Sequence, residues 1–154
     1  MDRVEQFLQQ EAAAWEEVSS LVARLGPEQL EETGMNDEGW SVKDLLWHYG
    51  CWSARTVREI DRIREGTYDG YHDDTEALNA EFLVEGRRCD LDTVKAEWVS
   101  ARQMARHAIA SLPEASREAE EWFEESGPVH YRDHLKELRP WVERLTSRGA
   151  GPVG

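Results

Sequence analysis

The sequence predicts an all-α protein, most simply a four-helix bundle, and three observations carry that expectation. Apolar residues recur at three- and four-residue spacing over four long stretches. Helix start and stop signals bracket those stretches, and no segment sustains the period-two alternation with β-branched residues that a strand needs. A chain of 154 residues suits one domain with a sizeable core, expected over residues 1–148, and the Gly149-Ala-Gly-Pro-Val-Gly154 tail is expected to fray.

Phe7, Ala14, Trp15, Val18, Leu21, Val22 and Leu25 fall on one stripe, which predicts a first helix over about 3–25, ended by Gly26-Pro27. Ser41 with Asp44 three residues later resembles a capping box and opens a second helix that runs to about Glu65 before Gly66. Its stripe is Val42, Leu45, Tyr49, Trp52, Thr56, Ile60 and Ile63. The Gly-, Tyr- and Asp-rich stretch from Gly66 to Asp74 reads as loop, and Ala77, Leu78, Phe82 and Leu83 predict a short helix over Thr75–Glu85 inside this long connection. Asp90 or Asp92 caps a third helix carrying Val94, Trp98, Ala101, Ala105, Ile109 and Leu112, stopped by Pro113. Gly127-Pro128 opens the fourth, with His130, His134, Leu138, Trp141 and Leu145 along it. Pro140 removes a backbone donor and is expected to bend or break that helix. The acidic run Glu118 to Glu125 reads as a solvated surface.

Eighteen Lys plus Arg face 32 Asp plus Glu, a formal charge of -14. That balance repels phosphate backbones, so nucleic acid and anionic membrane are poor partners. No apolar run approaches the roughly 20 residues that span a bilayer. The start Met-Asp-Arg-Val-Glu-Gln has no basic segment followed by an apolar one, and Cys51 and Cys89 form no CxxC pair, so a cytoplasmic protein with reduced thiols is expected.

The chemistry concentrates in three histidines. His130 and His134 are four apart, about 400° of helical turn, so both imidazoles leave one face and reach one ion. His48 sits at the edge of the second stripe and supplies a third nitrogen if the two helix starts share an end of the bundle. Three protein ligands with a position left for water is the arrangement of catalytic rather than structural zinc. Neutral imidazole is the ligand form, so affinity is expected to fall below about pH 6. The bland alternatives are a hydrogen-bonded core His48 and a chance HxxxH pair. His107 falls on the surface side of the third helix, and His72 on the loop. Glu59 near His48 and Glu11 in the first stripe are carboxylates able to orient a ligand histidine or accept a proton, or else to pair with an arginine such as Arg55. Arg55 also suits a substrate carboxylate, and Trp52, Trp141 and Tyr49 suit pocket walls.

Three segments carry a family resemblance: Leu25-Gly-Pro-Glu-Gln-Leu30, Gly39-Trp-Ser-Val-Lys-Asp-Leu-Leu-Trp-His48 and His130-Tyr-Arg-Asp-His134-Leu. Through them the chain resembles the DinB-like superfamily, with its YfiT-like metal hydrolases, the amino-terminal domain of mycothiol-dependent maleylpyruvate isomerases and the colibactin-resistance type proteins. The resemblance implies an up-down-down-up bundle and a divalent ion, zinc or nickel, on His48, His130 and His134. It implies a small-molecule substrate, activation of water or a low-molecular-weight thiol, and a homodimer. Two departures stand out: Leu135 replaces a further histidine present in some relatives, and no second domain of the isomerase kind follows. The alternative reading is a non-catalytic small-molecule binding or toxin-resistance protein with a vestigial site.

Overall fold

Asp2 opens the first helix with a reciprocal cap, its carboxylate accepting the Glu5 N–H at 2.8 Å while Glu5 accepts the Asp2 N–H at 3.3 Å. In the computed structural model, which describes residues 2–148, this helix is α1, Arg3–Val22. It ends short of Leu25 because Pro27 starts a helix of its own, α2 at Pro27–Glu31, where a missing N–H and a fixed φ suit the first turn. Five residues are too few to show a helical period, so α2 leaves no periodic trace in the sequence. The expected fraying of residues 149–154 lies outside the described residues.

The second long helix, α3 at Val42–Glu65, has the bounds its signals predict. Ser41 Oγ accepts the Asp44 N–H at 3.1 Å, Asp44 accepts the Ser41 N–H at 2.9 Å, and Gly66 ends the helix at a φ of 76°. The connection that follows holds α4, Thr75–Arg87, capped by Asp74. Asp90, not Asp92, caps α5, Leu91–Ala110, by accepting the Thr93 N–H at 2.8 Å.

The last part of the chain departs most from expectation. Ser116 caps α6, Arg117–Glu124, which runs straight into a wider π turn over Glu125–Val129 and then into α7, His130–Arg148. Gly127, at φ −102° and ψ −105°, is not helical, so two helices meet at a kink there and the last one starts where Gly127-Pro128 predicts. Around this turn the Trp122 carbonyl accepts the Ser126 hydroxyl at 2.8 Å, and Thr56 Oγ1 donates to Ser126 Oγ at 2.6 Å. Pro140, by contrast, leaves α7 unbroken. The carbonyl deprived of its partner belongs to Lys136, and both residues are exposed, so water satisfies it.

All regular structure among the described residues is helical, and no helix is long and apolar enough to cross a membrane. The longest contact runs between α3 and α5; α4 lies on α3, and α1 packs along α7. One apolar cluster holds Leu30, Leu45, Tyr49, Trp98, Tyr131 and Leu138, and a second holds Phe7, Ile60, Ile109 and Phe123. Gly86 lets α4 sit directly on Trp47, since a Cβ there would come within 2.6 Å of the indole Cγ and Cδ1. Glu11 is buried against Arg102 and Arg106 at 2.9 and 2.8 Å. Its carboxylate thus takes the ion-pair role and does not orient a histidine.

Candidate metal centre

Two separate helix starts bring the site together. The Ser41 cap fixes the phase of α3 so that His48, two turns on, faces inward, and only 5% of it is exposed. The π turn delivers His130 as the first residue of α7, with His134 one turn later. His130 Nε2 lies 2.9 Å from His48 Nε2 and 3.1 Å from His134 Nε2, and one ring nitrogen from each residue falls within 4.8 Å of the others. Nitrogens each 2.0–2.1 Å from a tetrahedral zinc sit ~3.3 Å apart, close to these separations.

The donor chemistry agrees with the spacing. Burial, reinforced by the neighbouring imidazoles, pushes His48 down to about 2, and burial with His134 pushes His130 down to about 3. His134 is lowered too, chiefly by burial, against the opposing pull of Glu137 and Asp133. All three rings are therefore neutral near pH 7. Three Nε2 lone pairs directed at one point repel one another unless a cation or shared protons lie between them, and the Nδ1 atoms of His48 and His130 stay without a partner. The residues fit a metal ion.

Neighbouring rings hold this arrangement. Trp40 meets His48 edge-on at 4.9 Å and stacks at 6.3 Å over His134, while Tyr49 stands T-shaped to His130 at 5.0 Å. Tyr49 is fully buried behind the histidines, its hydroxyl donating to the Tyr131 carbonyl at 3.3 Å, and so does not form a pocket wall as expected. Glu137 Oε2 lies 3.8 Å from His134 Nδ1.

In front of the histidines opens a cavity of about 1060 Å³. Trp40, Trp52, Trp122, Tyr68 and Tyr71 supply its aromatic walls. Trp52 was expected there; Trp141 instead packs in the core beneath Gly34. The acidic run expected to be plain surface sends Glu118, Glu121 and Glu125 to the cavity and buries Glu120 against Arg3 at 2.6 Å. Its period of three to four along α6 carries that information once α6 is known to be a helix.

Arg55 and Glu59, the two expected catalytic side chains, lie together but not on the cavity wall. Arg55 Nε is 3.5 Å from Glu59 Oε1, Arg58 and Arg62 approach the same oxygen at 3.6 Å, and Arg55 also pairs with Asp73. His72 and His107 are exposed on the loop and on α5. Cys51 is a free thiol that burial pushes up to about 12, so it stays protonated. Sequence reasoning missed Glu137, Trp40 and Trp122. Glu137 was legible as the residue one turn past His134; the two tryptophans were not, because each belongs to a segment without its own periodic stripe.

Neither a curated protein sequence nor a solved structure matches the chain. The profile of one family does, over residues 12–139, a span that includes all three histidines and most of the cavity wall. The chain belongs to the family described as the mycothiol maleylpyruvate isomerase N-terminal domain, within the DinB-like superfamily.

Proposed function

We propose that the chain is a metal-dependent enzyme on an up-down-down-up four-helix bundle, with one divalent ion, zinc or nickel, held by His48, His130 and His134. Its reaction is the attack of a low-molecular-weight thiol, or of water, on a small-molecule substrate in the cavity. The observation that carries this reading is the meeting of three Nε2 atoms at the wall of an open cavity, without a fourth histidine, cysteine or carboxylate in the same cluster among the described residues. An ion bound there supplies Lewis acidity, which lowers the pKa of a thiol or water enough to give a nucleophile near neutral pH.

The protein's own side chains have separable tasks. Glu137, beside His134 Nδ1, favours the tautomer with its proton on Nδ1 and leaves Nε2 free to donate its lone pair. Trp40 fixes two of the rings by contact and keeps water from their inner faces. Arg55 and Glu59, tied to each other and to neighbouring charges, act on the position of α3 and not on substrate. The family's description names a low-molecular-weight thiol, which favours thiol over water. A cytoplasmic homodimer completes the reading.

The test is turnover. Zinc- or nickel-loaded protein is assayed with a soluble thiol and an electrophile such as 1-chloro-2,4-dinitrobenzene, and in parallel against ester and amide substrates. Metal-dependent turnover that disappears in His130→Ala, with helical circular dichroism retained, supports the proposal. A protein that binds metal yet turns over neither class is a binding module, and one that binds no metal loses the reading altogether.

A further inference from the structure

The charge on the cavity wall is one-sided to a degree that the composition does not explain. The line of α6, the π turn and α7 presents Glu118, Glu121, Glu125, Asp133 and Glu137 to the cavity. Glu38, from the segment before α3, and Glu76, from the first turn of α4, also line it. Among the described residues no lysine or arginine lines it, although the chain holds 18 of them. Outside the cavity, exposed carboxylates on α1 and α7 do find cationic partners, Glu17 with Arg139 and Glu143 with Arg24. Among the described residues, Glu38, Glu76, Glu118 and Glu125 have none, while Glu121 pairs with the exposed Arg117 at 2.8 Å and Asp133 with the exposed Lys136 at 3.5 Å.

The α6 carboxylates do not belong to the cluster that could hold an ion at the histidines. Glu118 and Glu121 sit on α6, on the other side of the Gly127 kink from His130. Glu137 approaches the histidine cluster, at 3.8 Å from His134, and Asp133 and Glu38 also act on His134 through their charge. The outer wall is instead interleaved with aromatic rings held in place by hydrogen bonds. Trp122 Nε1 donates to Tyr68 Oη at 3.0 Å, Tyr71 packs at 5.7 Å on Trp122, and Trp52 Nε1 donates to Asn79 Oδ1 at 2.9 Å. His48, His130 and His134 line the same cavity.

Fixed π faces among carboxylates, four of them without a cationic partner, favour one class of ligand and penalise its opposite. A cation gains from the ring quadrupoles and from the negative potential, an apolar body fills the space between the rings, and an anion is repelled. We propose that the substrate is an organic cation, an amine or quaternary ammonium group joined to an apolar or aromatic body, and that Glu118, Glu121, Trp52 and Trp122 select it. This rests on the reading of the cavity as the reaction site and adds the charge of what enters it. Arg55, paired with Glu59 and Asp73 away from the wall, is then not a clamp for a substrate carboxylate.

Three probes of similar size test the claim by titration calorimetry on the zinc-loaded full chain: benzyltrimethylammonium, benzyl alcohol and benzenesulfonate. The quaternary cation has no lone pair with which to ligate an ion, so its binding reports the wall alone. The expected order is cation, alcohol, sulfonate, with the cation about tenfold tighter than the alcohol and the margin shrinking as salt is added. Glu118→Gln combined with Glu121→Gln should remove most of that margin and leave the alcohol and the zinc stoichiometry unchanged. Absence of cation binding at millimolar concentration, a sulfonate as tight as the cation, or a margin that survives in the double variant overturns the proposal. Zinc content, read in the same samples, keeps the two claims apart: cation selectivity without zinc removes the metal reading alone, and zinc without selectivity removes this one alone.

Discussion

The Nε2 atoms of His48 and His130 face each other across 2.9 Å although 82 residues separate them in the chain. Nothing local forces that meeting. It depends on α3 and α7 each presenting an inward face at the same level, so the pair reports the packing of the whole fold as well as the chemistry of the site.

The first expected outcome follows directly. Elemental analysis after loading and gel filtration should give one divalent ion per chain, and His48→Ala or His130→Ala should reduce it to a small fraction. A chelator should remove the ion with little loss of helical circular dichroism, because two apolar clusters stand independently of it. Loss of most helical signal on chelation would make the ion a structural staple.

Acid should act on stability before it acts on the ligands. Burial holds His48 at about 2 and His130 at about 3. An unfolded histidine titrates near ~6.5, so the unfolded chain takes up protons first as the pH falls. The stability these two rings contribute is whole above about pH 6.5 and drains away toward pH 3, by on the order of 1–2 kcal/mol each at pH 5. Urea midpoints of the metal-free protein between pH 7.5 and 5 should therefore fall more steeply than those of His48→Ala. His48 and His130 stay neutral from pH 7.5 to 5.5, so ion affinity of the folded protein should fall less over that range than expected of three free imidazoles.

Gly86→Ala should loosen α4. The added methyl meets the fixed root of the Trp47 ring at 2.6 Å, an overlap that the better helix propensity of alanine does not offset. Stability should drop by about 1–3 kcal/mol in urea unfolding. Trp52, bonded to Asn79 of α4, should show altered fluorescence, and Trp47→Leu added to Gly86→Ala should recover part of the loss. An unchanged midpoint would mean that α4 does not dock as described.

Removing the Glu11 carboxylate should cost more than its distance from the cavity suggests. Glu11 is 1% exposed and answers Arg102 and Arg106 together, with Arg102 also lying 4.4 Å above the Trp15 ring. Glu11→Ala leaves two guanidinium groups short of a counter-charge; because both are partly exposed, the loss is set at about 2–4 kcal/mol. The refolded variant should still bind one ion per chain. Loss of the ion with stability preserved would give Glu11 a role at the metal.

Much of this was legible in the sequence, and the reasons are particular. Ser41 and Asp44 announce the start of α3 because a capping box is a local hydrogen-bond pattern, and the HxxxH spacing announces one face of α7 because helical phase is local too. The meeting of His48 with that face was open until the fold was known, since no pattern within either helix says which ends lie together. Glu59 and Arg55 invited a catalytic role by their closeness to His48 in the helical wheel, yet three arginines close around Glu59 once the chain is folded. The acidic run after Arg117 was read as solvated surface because charge alone does not tell an outer face from the lip of a cavity.

The kink at Gly127 has a bearing on how the chain is counted. Because Gly127 leaves the helical region at φ −102° and ψ −105°, the roughly 100° per residue that relates positions within one helix does not carry across it. Glu118, Glu121 and Trp122 keep a fixed phase among themselves, and His130 and His134 keep theirs, while the kink sets one group against the other. A residue lost within α7 between His130 and His134 would swing one imidazole about a quarter-turn out of the cluster.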